Sequence, residues 1–191
     1  MRVFSALYDR AMIWAVHRHA PWYLGGLSFA ESSFFPIPPD VMLAPMSLAR
    51  TDRAWWYAAL TTATSVLGGL FGYLIGMLAI DAVLPWIVEA GYGARYEQAI
   101  EWFATWGVWV VFIAGFSPIP YKLFTIAAGA SAMPLLPFTL ASLVGRGARF
   151  FLVAGLMRWG GAPMERLLRS YIDRLGWLVI FLGVAYVLIA G

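Results

Sequence analysis

From Ala54 to Ile80 the chain carries no charged residue. At about 1.5 Å per residue, a helix of that length crosses a hydrocarbon core of about 30 Å with some tilt. It opens on Trp55, Trp56 and Tyr57, which suit an interfacial aromatic belt. It also holds Gly68, Gly72 and Gly76, a spacing by four that lets a neighbouring helix come close. Composition agrees with a bilayer protein: 62% of the 191 residues are hydrophobic and only 12% charged, where a soluble domain carries about 25%. A second span is expected from Leu135 to Met157 and a third, marginal in length, from Leu175 to Gly191. At the N-terminus Arg2, Asp9, Arg10 and Arg18 break any secretory-signal pattern. Phe4, Leu7, Ala11 and Trp14 recur there at helical spacing, which predicts an amphipathic interfacial helix over residues 3–18.

Two further apolar segments, 21–49 and 106–132, are broken in the middle by proline clusters. Pro36, Pro38 and Pro39 interrupt the first and Pro118 and Pro120 the second, and such clusters forbid a continuous helix. The arms left on either side are about half a bilayer long, so each segment is predicted to be a re-entrant hairpin with its tip at the prolines. Kinked full spans are the alternative. The segments repeat one another: Phe34, Pro36, Ile37 and Pro38 return as Phe116, Pro118, Ile119 and Pro120 at a constant offset of 82 residues. A full span follows each, Ala63 to Gly68 in the first echoing Ala141 to Gly145 in the second. One span per unit inverts the second unit relative to the first, an architecture common among transporters. The expected fold is an all-α integral membrane protein of one domain. Residues 1–20 form its interfacial helix, 21–80 the first repeat, 81–105 an outer interfacial segment, 106–160 the second repeat, and 161–191 a basic loop with a C-terminal transmembrane helix.

Charge placement orients this topology. Residues 1–20, 50–53 and 158–174 hold nine basic residues, whereas 81–105 hold Arg95 alone. The positive-inside rule puts the first set, with the N-terminus, in the cytoplasm. Five charges remain at membrane depth: Glu31, Asp40, Lys122, Arg146 and Arg149. Each costs about 2.5–3.5 kcal/mol at mid-bilayer on insertion scales, so the set calls for a purpose. Arg146 and Arg149, three residues apart, share a helix face, and Gly145 and Gly147 leave room beside them. Lys122 falls in the first turn after its proline cluster, against the helix dipole, and Asp40 holds the matching, favourable place. The expectation is a midplane anion site in which Lys122, Arg146, Arg149 and Ser117 bind phosphate while Glu31 and Asp40 gate it or couple it to protons. An internal salt-bridge network of two acids and three bases is the structural alternative, and a contact from Glu31 to the hairpin tip is as compatible with the sequence as proton coupling.

Other chemistry is not expected. The chain has no cysteine, and its two histidines, His17 and His19, are expected to be solvated at the interface. No metal site, cofactor, nucleotide-binding loop or nucleophile elbow is legible, and Ser117, ahead of a proline, is read as a cap rather than as half of a serine–lysine dyad. The chain is expected to be no enzyme and to bind no nucleic acid; homo-oligomerisation is left open.

These paired motifs give a resemblance. Glu31 with Phe35-Pro36-Ile37-Pro38-Pro39-Asp40, then Phe116-Ser117-Pro118-Ile119-Pro120-Tyr121-Lys122, Ala127-Ala128-Gly129 and Gly145-Arg146-Gly147-Ala148-Arg149, together resemble the DedA family, also called the VTT-domain or SNARE-associated Golgi family, in its YqaA-like form. The second hairpin departs from the family pattern: Gly115 stands at the place of a first arginine, and Lys122 comes one residue late for a second. Arg146 and Arg149 are candidates to supply the missing charge. The resemblance implies flippase- or scramblase-like movement of a phosphate-bearing lipid, such as undecaprenyl phosphate or a phospholipid. It also implies dependence on protons, a place in the bacterial inner membrane and a part in envelope homeostasis. A proton-coupled carrier of small ions or solutes and a non-transporting membrane scaffold are the competing expectations.

Overall fold

The computed structural model describes residues 17–35, 37–89, 91, 93–117 and 121–190; for 83, 87, 95, 96, 98, 99, 162 and 164–190 it describes the backbone alone. The expected interfacial helix over 3–18, apart from its last two residues, and the tip residues Pro36, Pro118 and Pro120 lie outside the described residues. Everything regular among them is helical: α1 (Ala20–Ser33), α2 (Asp40–Ala49), α3 (Ala54–Glu89), α4 (Gly93–Phe116), α5 (Tyr121–Ala130) and α6 (Leu135–Ala190). Two stretches, Thr51–Ala82 and Leu135–Gly161, are long and apolar enough to cross a membrane. The protein is an all-α membrane protein.

Local chemistry sets the helix ends. Pro21 starts α1, where its missing N–H costs nothing. The helix stops at Phe34, whose N–H and that of Phe35 both donate to the Ala30 carbonyl at 2.8 Å. Pro39 caps α2 and Asp40 fills its first turn, a carboxylate at the positive end of the dipole. Ala132 takes a positive φ of 49° after α5, and the Met133 N–H returns to the Ala128 carbonyl at 3.0 Å. This is a Schellman-type ending just ahead of Pro134.

The contacts give the helix directions. Gly25 of α1 lies against Leu60 and Thr64 of α3, and Phe29, four residues on, lies against Gly68, so α1 runs parallel to α3. The second arm, α2, turns back: Leu43 and Met46 share a buried cluster with Ala20, Leu24, Ala54 and Tyr57. The second unit repeats the arrangement from the other end. Its α4 runs with α6, and α5 packs along the far half of α3, where Tyr73, Met133 and Phe138 anchor a second cluster. Meanwhile α6 runs against α3, with Trp55 stacked on Phe151 at one end and Tyr73 beside Phe138 at the other. Two helical hairpins thus reach inward from opposite ends of the α3–α6 pair.

The glycine row does what its spacing predicts. A Cβ on Gly68 would strike the backbone carbonyl of Phe29, and one on Gly76 that of Ile126. The repeat holds at this level too, since a Cβ on Gly145 of α6 would meet the carbonyl of Phe112 on α4.

Two element boundaries differ from those expected. The outer segment 81–105 has no helix boundary of its own at 81 or at 105. Residues 81–89 continue α3, and 93–105 are the start of α4, which runs unbroken to Phe116 because no helix breaker intervenes. Its first arm is therefore 24 residues rather than half a bilayer. The basic segment expected as a loop is helical: α6 passes through it, broken only at Gly161 (φ 48°, ψ −142°), and the backbone stays helical through the expected third span to Ala190.

Candidate functional site

Between the two apolar clusters lies a polar layer at the level of the hairpin tips. Its fixed point is Arg146, 3% exposed at mid-length of the first, apolar part of α6. One guanidinium nitrogen, Nη2, donates to the Glu31 carboxylate of α1. Nε donates to Ser65 Oγ of α3 at 2.6 Å, and Nη2 also reaches Ser32 Oγ at 3.3 Å. Ser32 pairs with Ser65 at 2.7 Å and with Glu31 at 3.2 Å. Two rings lie against the guanidinium, its carbon 4.9 Å from the Tyr121 centroid and 4.6 Å from that of Phe150. Such cation–π contacts gain strength away from water. Tyr121 is itself held by a hydrogen bond from its hydroxyl to Ser142. Two of its three nitrogens are bonded and two rings lie against it.

Arg149, one turn further, is set differently. Nη2 donates to Asp40 Oδ2 at 2.7 Å, and Nη1 to the Ser117 carbonyl at 2.7 Å. The pair is only partly buried, with side chains 19% and 21% exposed. Arg149 Nε and Asp40 Oδ1 have no hydrogen-bond partner among the described residues. Arg149 thus joins the start of α2 to the end of α4, and its charge faces the negative end of the α4 dipole.

Lys122 makes the complementary link. Its Nζ lies 3.4 Å from the Phe34 carbonyl at the end of α1, and Thr125, one turn on, donates to the Ser32 carbonyl at 3.3 Å. Placed badly for the dipole of its own α5, Lys122 is placed well for that of α1. No carboxylate lies within ion-pair distance of it among the described residues.

The structure therefore brings Glu31, Asp40, Ser117, Lys122, Arg146 and Arg149 into one layer, with the two acids on the first hairpin and the three bases on the second repeat. Both acids are taken by arginines. Of the tip prolines that are described, Pro39 is fully buried and Pro38 exposed. His17 and His19 are exposed, their rings tilted against each other with centroids 5.3 Å apart. Reading the sequence missed Ser32, Ser65, Tyr121 and Ser142, which hold the layer together. The repeat carried a signal for two of them: Ser65 and Ser142 each stand three residues before the close-packing glycine of their span, Gly68 and Gly145.

A family profile for the VTT domain matches residues 37–159, which takes in α2 to the apolar part of α6 and so most of this layer. The chain belongs to the VTT-domain (DedA) family. This VTT-domain protein is 48% identical over 184 residues to an uncharacterised protein of Haemophilus influenzae, covering 96% of each chain. It is 46% identical over 189 residues to an uncharacterised homologue from Histophilus somni, covering 99% of each. Over 96 residues, 47% of this chain and 45% of the other, it is 34% identical to undecaprenyl phosphate transporter A of Staphylococcus aureus. No solved structure matches it.

Proposed function

We propose that this protein moves a phosphate-bearing lipid, undecaprenyl phosphate or a phospholipid, between the leaflets of the bacterial cytoplasmic membrane, and that it acts as a carrier rather than an enzyme. The observation that carries the reading is Lys122, a cation at the meeting point of two hairpin tips without an acid partner among the described residues. Glu31 neutralises Arg146 and Asp40 neutralises Arg149. One uncompensated charge at mid-depth is costly unless an anion shares it. A lipid phosphate answers that need while its chains stay in hydrocarbon. The relative named for undecaprenyl phosphate supports this class of substrate.

In this reading the hairpins are re-entrant and the N-terminus is cytoplasmic. Lys122 and Arg149 contact the phosphate beside the Ser117 carbonyl, and Arg146 positions the tips. Asp40 and Glu31 tie the cycle to protons, since protonation would release the arginine each one holds. The test is leaflet exchange of a fluorescent lipid in proteoliposomes, with anionic and zwitterionic headgroups, with and without a pH gradient. Lys122→Ala is expected to abolish exchange of the phosphate-bearing lipid while the purified chain keeps its parent melting curve. Exchange at the parent rate by a folded Lys122→Ala protein rejects the site.

A further inference from the structure

The sequence presents Arg146 and Arg149 as equals, three residues apart on one helix face, but the structure separates them. Arg146 is bonded through Nε and Nη2 to Ser65, Glu31 and Ser32 and lies against two rings, at 3% exposure. Each arginine holds its acid through a single nitrogen, although a guanidinium matches a carboxylate or phosphate with two parallel bonds, but only at Arg149 are a guanidinium nitrogen and a carboxylate oxygen left buried without a partner among the described residues. The atoms left over are complementary, Nε on the arginine and Oδ1 on the aspartate, and they belong to the more exposed of the two pairs. A one-pronged pair with an idle donor and an idle acceptor is a contact that a better-matched anion can displace.

We propose that Asp40 is a built-in stand-in for the substrate's phosphate: its carboxylate occupies Arg149 at rest, and the incoming phosphate monoester displaces it, taking Nη2 and Nε together. This rests on the proposed function and adds to it a competition that sets affinity and release. The stand-in lowers the apparent affinity for phosphate, and its return expels the ligand. The phosphate does not displace Glu31 from Arg146.

The experiment titrates farnesyl monophosphate and, separately, inorganic phosphate into the full chain in detergent. Intrinsic tryptophan fluorescence or calorimetry serves as the readout. The proteins are the parent, Asp40→Asn, Asp40→Ala, Glu31→Gln and the double variant Asp40→Asn/Arg149→Gln. Removing the competing carboxylate is expected to tighten farnesyl monophosphate binding about tenfold in both Asp40 variants, the scale of one charge-assisted hydrogen bond. The double variant is expected to lose that gain. Unchanged or weaker binding in the Asp40 variants, beside a parent that binds, overturns the stand-in and leaves the lipid-carrier reading intact. Equal tightening by Glu31→Gln also overturns it, because the effect is then only the loss of a nearby negative charge. A parent that binds neither probe overturns both readings. Equal affinity for the two probes, with the Asp40 variants tighter for each, supports the displacement and rejects the lipid as the source of the phosphate.

Discussion

Glu31→Gln tests whether the polar layer is a structural clamp. The substitution keeps the shape and leaves Arg146 charged at 3% exposure with two serine hydroxyls and two ring faces but no carboxylate. Breaking a buried ion pair by removing one partner costs about 3–5 kcal/mol, because the survivor stays desolvated and unpaired. Arg146→Gln leaves Glu31 with the Ser32 hydroxyl as its one remaining partner among the described residues and belongs in the same range. The double variant carries no stranded charge and is expected to recover at least about 2 kcal/mol relative to the sum of the singles. For a chain of this length each kcal/mol moves the midpoint by about 2–4 °C, so either single variant is expected to melt about 6–20 °C below the parent in detergent. Asp40→Asn, at the partly solvated pair, is expected to cost about 1 kcal/mol or less. The readout is circular dichroism of the purified full chain. Singles that melt within about 2 °C of the parent, or a double variant equal to the sum of the singles, would refute the clamp.

The close-packed glycines give a second set of outcomes. Gly68→Ala, Gly76→Ala and Gly129→Ala each drive a methyl into a backbone carbonyl, of Phe29, Ile126 and Tyr73 respectively, and are expected to destabilise by about 1–3 kcal/mol because backbone cannot swing aside. Gly26→Ala, with nothing within 4 Å of the added carbon, is expected to be neutral or to stabilise slightly through helix propensity, so melting curves that rank it with the others contradict the packing. Topology is read by thiol labelling, which the absence of native cysteine makes clean. In intact cells a membrane-impermeant maleimide is expected to label Gly91→Cys and to reach Asp52→Cys only after lysis, and the opposite pattern reverses the proposed orientation.

The elements legible in the sequence are those whose signal is local. Proline clusters break a helix wherever they fall, so the ends of α1 at Ser33 and of α4 at Phe116 could be read directly. A glycine row at spacing four announces a close contact before its partner is known. The choice of partner is not local. Whether Glu31 meets Arg146 or Lys122 depends on how far α1 slides along α3, and that register is fixed by Gly68 seated over the Phe29 carbonyl and by Ser33 donating to the Gly68 carbonyl at 2.9 Å. The cost assigned to Lys122 shows the same limit. Its own helix dipole opposes it, but the carbonyl that receives it ends a helix 88 residues away in sequence. The boundary placed before residue 106 failed for a different reason. The scattered charges of 94–105 look interfacial, yet nothing in them stops a helix, and α4 runs straight through.

The repeat explains why charge collects in this layer and why it is unequal. The spans match at Ser65 with Ser142 and Gly68 with Gly145, and the same register sets Gly69 against Arg146 and Gly72 against Arg149. In the first span the glycines let α5 close in, with Tyr121 and Thr125 pressed against them. In the second span, arginine at the same two places fills the space and reaches across to the opposing hairpin. The hairpin tips are unequal as well: Asp40 and Lys122 occupy matching positions with opposite sign. The substitutions that break the symmetry place acids on one half and bases on the other, so the halves attract, and the bases outnumber the acids by one. Under the proposed function that remainder is what the substrate supplies: an anion at Lys122 completes the neutralisation begun by Glu31 and Asp40. Reversing the matched pair, Asp40→Lys with Lys122→Asp, keeps the net charge but puts a base beside Arg149. It also cuts the opposed charges of the two halves from −2 and +3 to 0 and +1, so it is expected to abolish lipid exchange, and exchange at the parent rate in proteoliposomes would contradict this account of the layer.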